Sequence, residues 1–349
     1  MFKAIGSLLA LAFVALSAQA TPTRVRLDTV VTPTVTPVPL PRLGGVNTAG
    51  YDFSVSIDGT FTGNGVNPPT SQYTHFTAQR VNIYRVPWQL ITPTLGGPID
   101  PVFFSRLNST VHAALSSGPN VWVIIDVHNY ARWNGAIIAQ GGPTNDQFVS
   151  LWTQLAGKFY NEPRVIFGIM NEPHDLVSVS TWADTLQQVV NGIRNYGAPN
   201  YLLLPGSSWS SAEAFPTEAG PLLVNITDPT GDHSKIIFDV HKYLDVDNSG
   251  QHAECVTNNV AVLTNLVNFL RANGNRQAIL SETGGGNTDS CKTLFQEELR
   301  YVRDSFPVLA GYTVWSAGAF DTTYVTTVTP FANGTDQPIW NAAVVPNLP

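Results

Sequence analysis

The sequence predicts a single-domain α/β protein built as an eight-stranded (β/α)8 barrel. Three observations carry that expectation. Eight short apolar runs recur at intervals of 33–44 residues, the spacing of strand–helix units with decorated loops. Helix-period segments fall between them, so the strands are covered on both faces, as a parallel sheet requires. No glycine-rich phosphate loop follows the first run, which argues against the alternative, a doubly wound open sheet.

Taken in order, the strands are expected at 43–47, 81–86, 121–127, 165–170, 201–204, 236–240, 278–281 and 311–315. Between the second and third, Asp100 is a helix cap and Pro101 suits the first helical position, giving a helix over 101–116. The segment 145–160 places Phe148, Leu151, Trp152, Leu155 and Phe159 on one face. Segments 180–195 and 259–272 behave similarly. The folded domain spans 42–349 in this reading.

Residues 1–20 do not belong to that domain. Lys3 supplies a positive start, 8–16 are apolar, and Ala18-Gln19-Ala20 is a small-x-small cleavage site, so a secretory signal peptide is expected. The apolar run is too short to span a bilayer. Residues 21–41 are rich in Thr, Pro and Val, which blocks helix and central strand and leaves an extended segment. The expected product is a secreted monomer.

Net charge is −7 and Lys and Arg never cluster, so nucleic acid and anionic membrane are excluded as partners. Charged residues make up only 12% of the chain, which suits an extracellular protein meeting a neutral polar substrate. The two cysteines, Cys255 and Cys291, follow the sixth and seventh strands. In an oxidising compartment they pair and tie two loops on one face, contributing roughly 3–4 kcal/mol. Sequons at Asn108, Asn225 and Asn333 fit the same route as N-glycosylation sites.

A parallel barrel places its chemistry at the C-terminal ends of the strands. Here those ends read Arg85, then His128-Asn129, Asn171-Glu172, His241 with Tyr243, Glu282, and Trp315. Packing alone does not explain six strand tips with ionisable or aromatic groups. Asn-Glu-Pro occurs twice, at 161–163 and 171–173. The first copy precedes a strand and falls at the barrel bottom, so Glu162 is a turn residue. The second follows that strand, so Glu172 reaches the top.

Two carboxylates at the top fit glycoside hydrolysis. The leaving oxygen needs a proton, and the developing sugar cation needs a carboxylate on its other face. Two nearby negative charges help keep one acid protonated, and Arg85 is suited to keep the other ionised. Spacing alone does not say which glutamate takes which role. A bell-shaped, acidic pH–activity profile is expected. Trp88, Trp133, Trp209 and Trp315 fall at strand ends or in the loops beyond, where flat rings stack on sugar faces. Trp122, Trp152, Trp182 and Trp340 read as packing residues. A metallohydrolase using His128, His241 and Glu172 lacks support, since no His-x-His follows the first strand and no His-Glu-x-x-His helix occurs. No metal and no cofactor are expected.

The segments Gly45-Val46-Asn47-Thr48-Ala49-Gly50-Tyr51-Asp52-Phe53, Tyr84-Arg85-Val86-Pro87-Trp88, Asp126-Val127-His128-Asn129-Tyr130, Met170-Asn171-Glu172-Pro173-His174, His241-Lys242-Tyr243-Leu244-Asp245, Ser281-Glu282-Thr283-Gly284-Gly285 and Trp315-Ser316-Ala317-Gly318 appear in this order. In them the chain resembles the glycoside hydrolase family 5 cellulases, in particular secreted fungal endo-β-1,4-glucanases. The resemblance covers about 43–345. It implies a (β/α)8 TIM barrel and retention of anomeric configuration. It makes Glu172 the proton donor and Glu282 the nucleophile. Arg85 and Tyr243 would bond Glu282, and Asn171 would hold the sugar 2-hydroxyl. His128 and His241 would line that subsite above Trp315, with Asn129 as a neighbour. The cysteines also match positions that bridge in the fungal group. No cysteine-rich cellulose-binding module accompanies the match, which points to soluble or amorphous β-glucan. Another β-glycan, such as mannan, xyloglucan or mixed-linkage glucan, would use the same acids. A non-hydrolytic glycan-binding barrel would need no such acid pair.

Overall fold

The computed structural model describes residues 39–89 and 94–349. The expected signal peptide and most of the Thr/Pro-rich segment lie outside these residues. Leu40, placed in that segment by the sequence, is buried against the barrel interior.

Ten strands occur among the described residues. They are β1 (Leu43–Ala49), β2 (Ile83–Trp88), β3 (Trp122–Val127), β4 (Arg132–Trp133), β5 (Ala136–Ile137), β6 (Val165–Gly168), β7 (Leu202–Pro205), β8 (Ile236–His241), β9 (Ala278–Thr283) and β10 (Leu309–Gly318). Eight of them close a barrel in the order β1-β10-β9-β8-β7-β6-β3-β2, and β4 and β5 form a small separate hairpin after β3. All barrel pairs are parallel. The expected (β/α)8 TIM barrel is therefore observed. The hairpin was not anticipated, because two-residue strands leave no periodicity to read.

The helices are α1 (Ser71–Thr77), α2 (Pro101–Ser116), α3 (Asn145–Phe159), α4 (Val179–Tyr196), α5 (Gly220–Leu223), α6 (Val260–Ala272) and α7 (Asp289–Asp304). Asp100 caps α2, its side chain accepting the Phe103 N–H at 2.7 Å, with Pro101 in the first turn. Thr144 and Gln147 form a capping box on α3. The five apolar residues expected on one face of α3 are all buried. After β10, a π-helical turn (Trp340–Val344) and a 3-10 turn (Val345–Asn347) pack on α7.

Strand alternation sorts the core into two layers. Leu43, Ile83, Ile124, Ile166, Leu203, Ile237 and Ile279 point inward and fill the barrel's lower half. Their neighbours, such as Tyr84, Val86, Val123, Phe167 and Phe238, point outward under the helices. Above the inner apolar layer the same inward positions turn polar, with Asn47, Arg85, Asp126, Asp239 and Ser281 all buried. That layer is the floor of the site.

Candidate active site

Arg85 is not at the tip of β2 but inside it, one inward position above Ile83. Burial opposes its charge, yet Asp126, Glu282 and Asp239 together hold it firmly protonated. Its Nη1 donates to Glu282 Oε1 at 2.6 Å and to Asn47 Oδ1 at 2.9 Å. Its Nη2 donates to Asn171 Oδ1 at 2.6 Å and lies 3.0 Å from Asp126 Oδ2. One guanidinium thereby joins the ends of four strands.

Glu282 lies within β9 rather than beyond it. Simple alternation would send it outward, because Ser281 already points in. The β8–β9 register shifts between Val240 and His241, so that His241 pairs with Glu282. Such an irregularity re-aims a side chain, and both Ser281 and Glu282 reach the site. Tyr243 OH donates to Glu282 Oε2 at 2.9 Å. Burial and the nearby Glu282 charge keep that phenol protonated.

Glu172 follows β6 in a left-handed backbone conformation, φ +40°. His241 Nδ1 donates to Glu172 Oε1 at 2.8 Å, and His241 Nε2 donates to Ser281 Oγ at 3.0 Å. Ser281 Oγ in turn donates to Asp239. Both imidazole nitrogens are thus donors. Burial opposes the charged ring, but Glu282 and Asp239 outweigh it and push His241 up to about 10. The ring stands between the two glutamates, also 3.7 Å from Glu282 Oε2. Glu172, His241 and Glu282 each present a donor atom within 4.8 Å of the others.

These groups open into a cleft of about 490 Å³ lined by His128, Tyr130, Glu172, Trp209, Tyr243, Glu282, Trp315 and Tyr324 among others. His128 Nδ1 donates to Asp126 at 2.9 Å, and its ring stacks at 16° to Trp315, with centroids 5.5 Å apart. Burial lowers its basicity, but Asp126 reverses the shift and raises it. Trp315 Nε1 donates to Tyr324 OH at 3.2 Å. Trp209 lies flat on His174, with centroids 3.7 Å apart and planes at 1°. Three successive left-handed residues, Ser208, Trp209 and Ser210, carry it there.

Not every expected residue is at the surface of the cleft. Arg85, Asn129, Asn171 and His241 are buried beneath it. Trp88 is a correction. It shares the outward parity of Tyr84 and Val86, is fully buried, and packs near Phe103, so it offers no face to a sugar. Trp133 sits against Phe61 outside the cleft lining. Glu162 lies at the opposite barrel end, 3.7 Å from His112. Asn47, Asp126, Asp239 and Ser281 were missed as site residues. Their signal is a polar residue at an inward position of an otherwise apolar strand. Cys255 and Cys291 are bonded, with Cα atoms 4.9 Å apart. Cys291 sits in the first turn of α7, so the bridge ties a loop to a helix rather than two loops.

The barrel and its paired carboxylates define a hydrolase of the glycosidase class. The family described as Cellulase (glycosyl hydrolase family 5) matches residues 45–321, and the chain belongs to that family. It is 69% identical over 320 residues to the manganese dependent endoglucanase Eg5A of Phanerodontia chrysosporium, covering 91% of this chain and 83% of that protein. It is 48% identical over 313 residues to endoglucanase EG-II of Hypocrea jecorina, covering 84% of this chain and 74% of that one. The crystal structure of Cel5A (EG2) from Hypocrea jecorina superimposes with a TM-score of 0.84 at 45% identity, over 87% of this chain and 98% of that chain. XacCel5A in complex with cellopentaose matches with a TM-score of 0.80 at 29% identity, over 88% and 99% of the two chains.

Proposed function

We propose that the chain is a secreted endo-β-1,4-glucanase that cleaves internal β-1,4-glucosidic bonds with retention of configuration. The observation that carries this is the facing of Glu172 and Glu282 across the cleft floor, with carboxylate oxygens within 4.8 Å. Retaining enzymes hold their acids about 5–5.5 Å apart, and inverting ones leave room for a water at about 6.5–9.5 Å. Arg85 and Tyr243 occupy one oxygen each of Glu282 and support its role as nucleophile. Its attack on the anomeric carbon breaks the glycosidic bond as Glu172 delivers a proton to the leaving oxygen. His241 engages Glu172 Oε1 and leaves Oε2 for that proton. In the second half Glu172 takes a proton from water, whose oxygen releases the sugar from Glu282. Asn171 Nδ2 finds no acceptor among the described residues, which supports its role as donor to the 2-hydroxyl. Trp315 and Trp209 provide stacking faces.

The test is product analysis. Proton NMR of early products should show the β-anomer, and a panel of β-glucans, xyloglucan and mannan should be cut fastest at β-1,4-glucan. Initial α-anomer would reject retention. Glu172→Gln and Glu282→Gln should each lower kcat on carboxymethylcellulose roughly 100-fold or more. Among the described residues no helix is long and apolar enough to cross a membrane. Asn225 and Asn333 are exposed and Asn108 is half-buried in α2, which supports glycans at the first two above all.

A second reading follows from the manganese in the name of the Phanerodontia relative. Asp245, Asp247 and His252, in the loop after β8, present donor atoms within 4.8 Å of one another. Two carboxylates and an imidazole are a donor set for a divalent ion, which would displace the proton that His252 Nδ1 shares with Asp245 at 3.1 Å and Asp247 at 3.3 Å. An ion held there would supply charge that braces the loop, whose Asn248 accepts the Tyr243 N–H at 2.7 Å. Adding Mn2+ should raise the melting temperature of the native chain and not that of Asp247→Asn. Equal responses would reject the site.

A further inference from the structure

Glu298 is a fully buried acid with no part in either displacement step. It lies on the apolar stripe of α7, between Phe295, Leu299 and Val302, where a carboxyl has no packing reason to be. Its two oxygens reach different elements. Oε1 accepts Asn259 Nδ2 at 2.9 Å, and Oε2 accepts Thr283 Oγ1 at 2.8 Å. Asn259 precedes α6 in a left-handed conformation (φ 54°), and its side chain does not cap that helix. The same Nδ2 instead donates a second hydrogen to the Tyr243 carbonyl at 3.0 Å. Tyr243 OH then donates to Glu282, and Glu282 is bonded in sequence to Thr283. The path closes on itself: Glu298, Asn259, Tyr243, Glu282, Thr283, Glu298.

We propose that Glu298 is a positioning residue for the cleavage reaction, fixing Tyr243 and Glu282 against each other from the helix layer behind the sheet. This rests on the reading of Glu282 as nucleophile. The hydroxyl of Tyr243 must keep its place on Glu282 Oε2 while the carboxylate turns to attack. An error of about 1 Å in such a group costs rate out of proportion to its size. The ring removes that freedom from both sides, because Tyr243 is held by its backbone and Glu282 by its neighbour. Burial pushes the Glu298 carboxyl up to about 8, against the lowering influence of Asn259, Thr283 and the Lys242 charge at the end of β8. Glu298 is therefore neutral in acid, and a glutamine replaces it closely. In the neutral acid Oε2–H donates to Thr283 Oγ1, the reverse of the bond to the carboxylate, and the glutamine copies that state: its amide oxygen accepts from Asn259 and its amide nitrogen donates to Thr283.

The experiment compares Glu298→Gln, Glu298→Leu and Thr283→Val with the native enzyme. Each variant is checked for folding by its melting curve. Steady-state kinetics are measured on a soluble cello-oligosaccharide, together with the rate of covalent labelling by a 2-deoxy-2-fluoro cellobioside. We expect Glu298→Leu and Thr283→Val to lose at least tenfold in kcat and in labelling rate, with KM within twofold. Glu298→Gln, which keeps both hydrogen bonds, should retain kcat and labelling rate within about twofold of the native enzyme. Leucine or valine variants that are folded and label at the native rate would overturn the proposal. So would a folded Glu298→Gln variant as slow as Glu298→Leu. If Glu298→Leu does not fold, Thr283→Val decides. A label found on a residue other than Glu282 would sink the nucleophile assignment instead, so the two failures are distinct.

Discussion

Trp88 and Trp209 show how much a single side chain's direction decides. Both stand near strand ends in the sequence, and nothing in composition separates them. Trp88 is fully buried, while Trp209 is 39% exposed on the cleft wall. The difference is strand parity in one case and a left-handed loop in the other. Parity can be read from sequence once the register is known, because Arg85 inward forces Trp88 outward. The run of positive φ at 208–210 cannot be read, since none of these residues is glycine. Trp209→Ala should raise KM for cello-oligosaccharides about 2–10-fold and leave kcat nearly unchanged. Trp88→Ala should cost ~3–5 kcal/mol of stability. Paired melting and kinetic curves for the two variants check both.

At the scale of elements, the eight strands and four of the helices were legible because apolar periodicity extends over whole segments. The strand ends were less so. β9 and β10 run on past their expected limits, so Glu282 and Trp315 lie inside strands. The polar residues that bulges re-aim look, in sequence, like the start of a loop. α7 is the instructive omission, for a stripe interrupted by Glu298 reads as polar although that acid is buried. Close packing of strands leaves its own mark at Gly45, where a Cβ would lie 1.7 Å from the Ile83 carbonyl oxygen. Gly45→Ala should therefore destabilise the barrel by at least ~3 kcal/mol, measurable by urea unfolding. The Cys255–Cys291 bridge closes a 36-residue separation and fastens the loop after β8 to α7. Replacing both by serine should cost ~2–4 kcal/mol and leave the barrel strands intact by circular dichroism.

For the whole molecule, the buried shifts of Glu298 and His241 bear on stability with the same sign. Glu298 moves from an ordinary 4.5 to about 8 on folding, so the folded state holds its proton more tightly. The resulting stabilisation is full below about 4.5 and declines as pH rises to about 8. His241 moves from 6.5 to about 10, so its contribution is full below 6.5 and is lost as pH rises through about 10. The melting temperature should fall from mildly acid to alkaline pH. In Glu298→Gln the part of that fall between about 5 and 8 should flatten. A melting temperature that rises from pH 5 to 8 would contradict both assignments.

The flat contact between Trp209 and His174 has an optical consequence. The other seven tryptophans are buried or partly covered, and Trp209 alone is open to solvent on the cleft wall. An imidazole face 3.7 Å away is a quencher of indole emission, so Trp209 should be dim at rest. A glucan chain laid along the cleft would shield the same indole from added iodide or acrylamide. The enzyme thus carries its own reporter of occupancy, readable in a stopped-flow fluorimeter without a label.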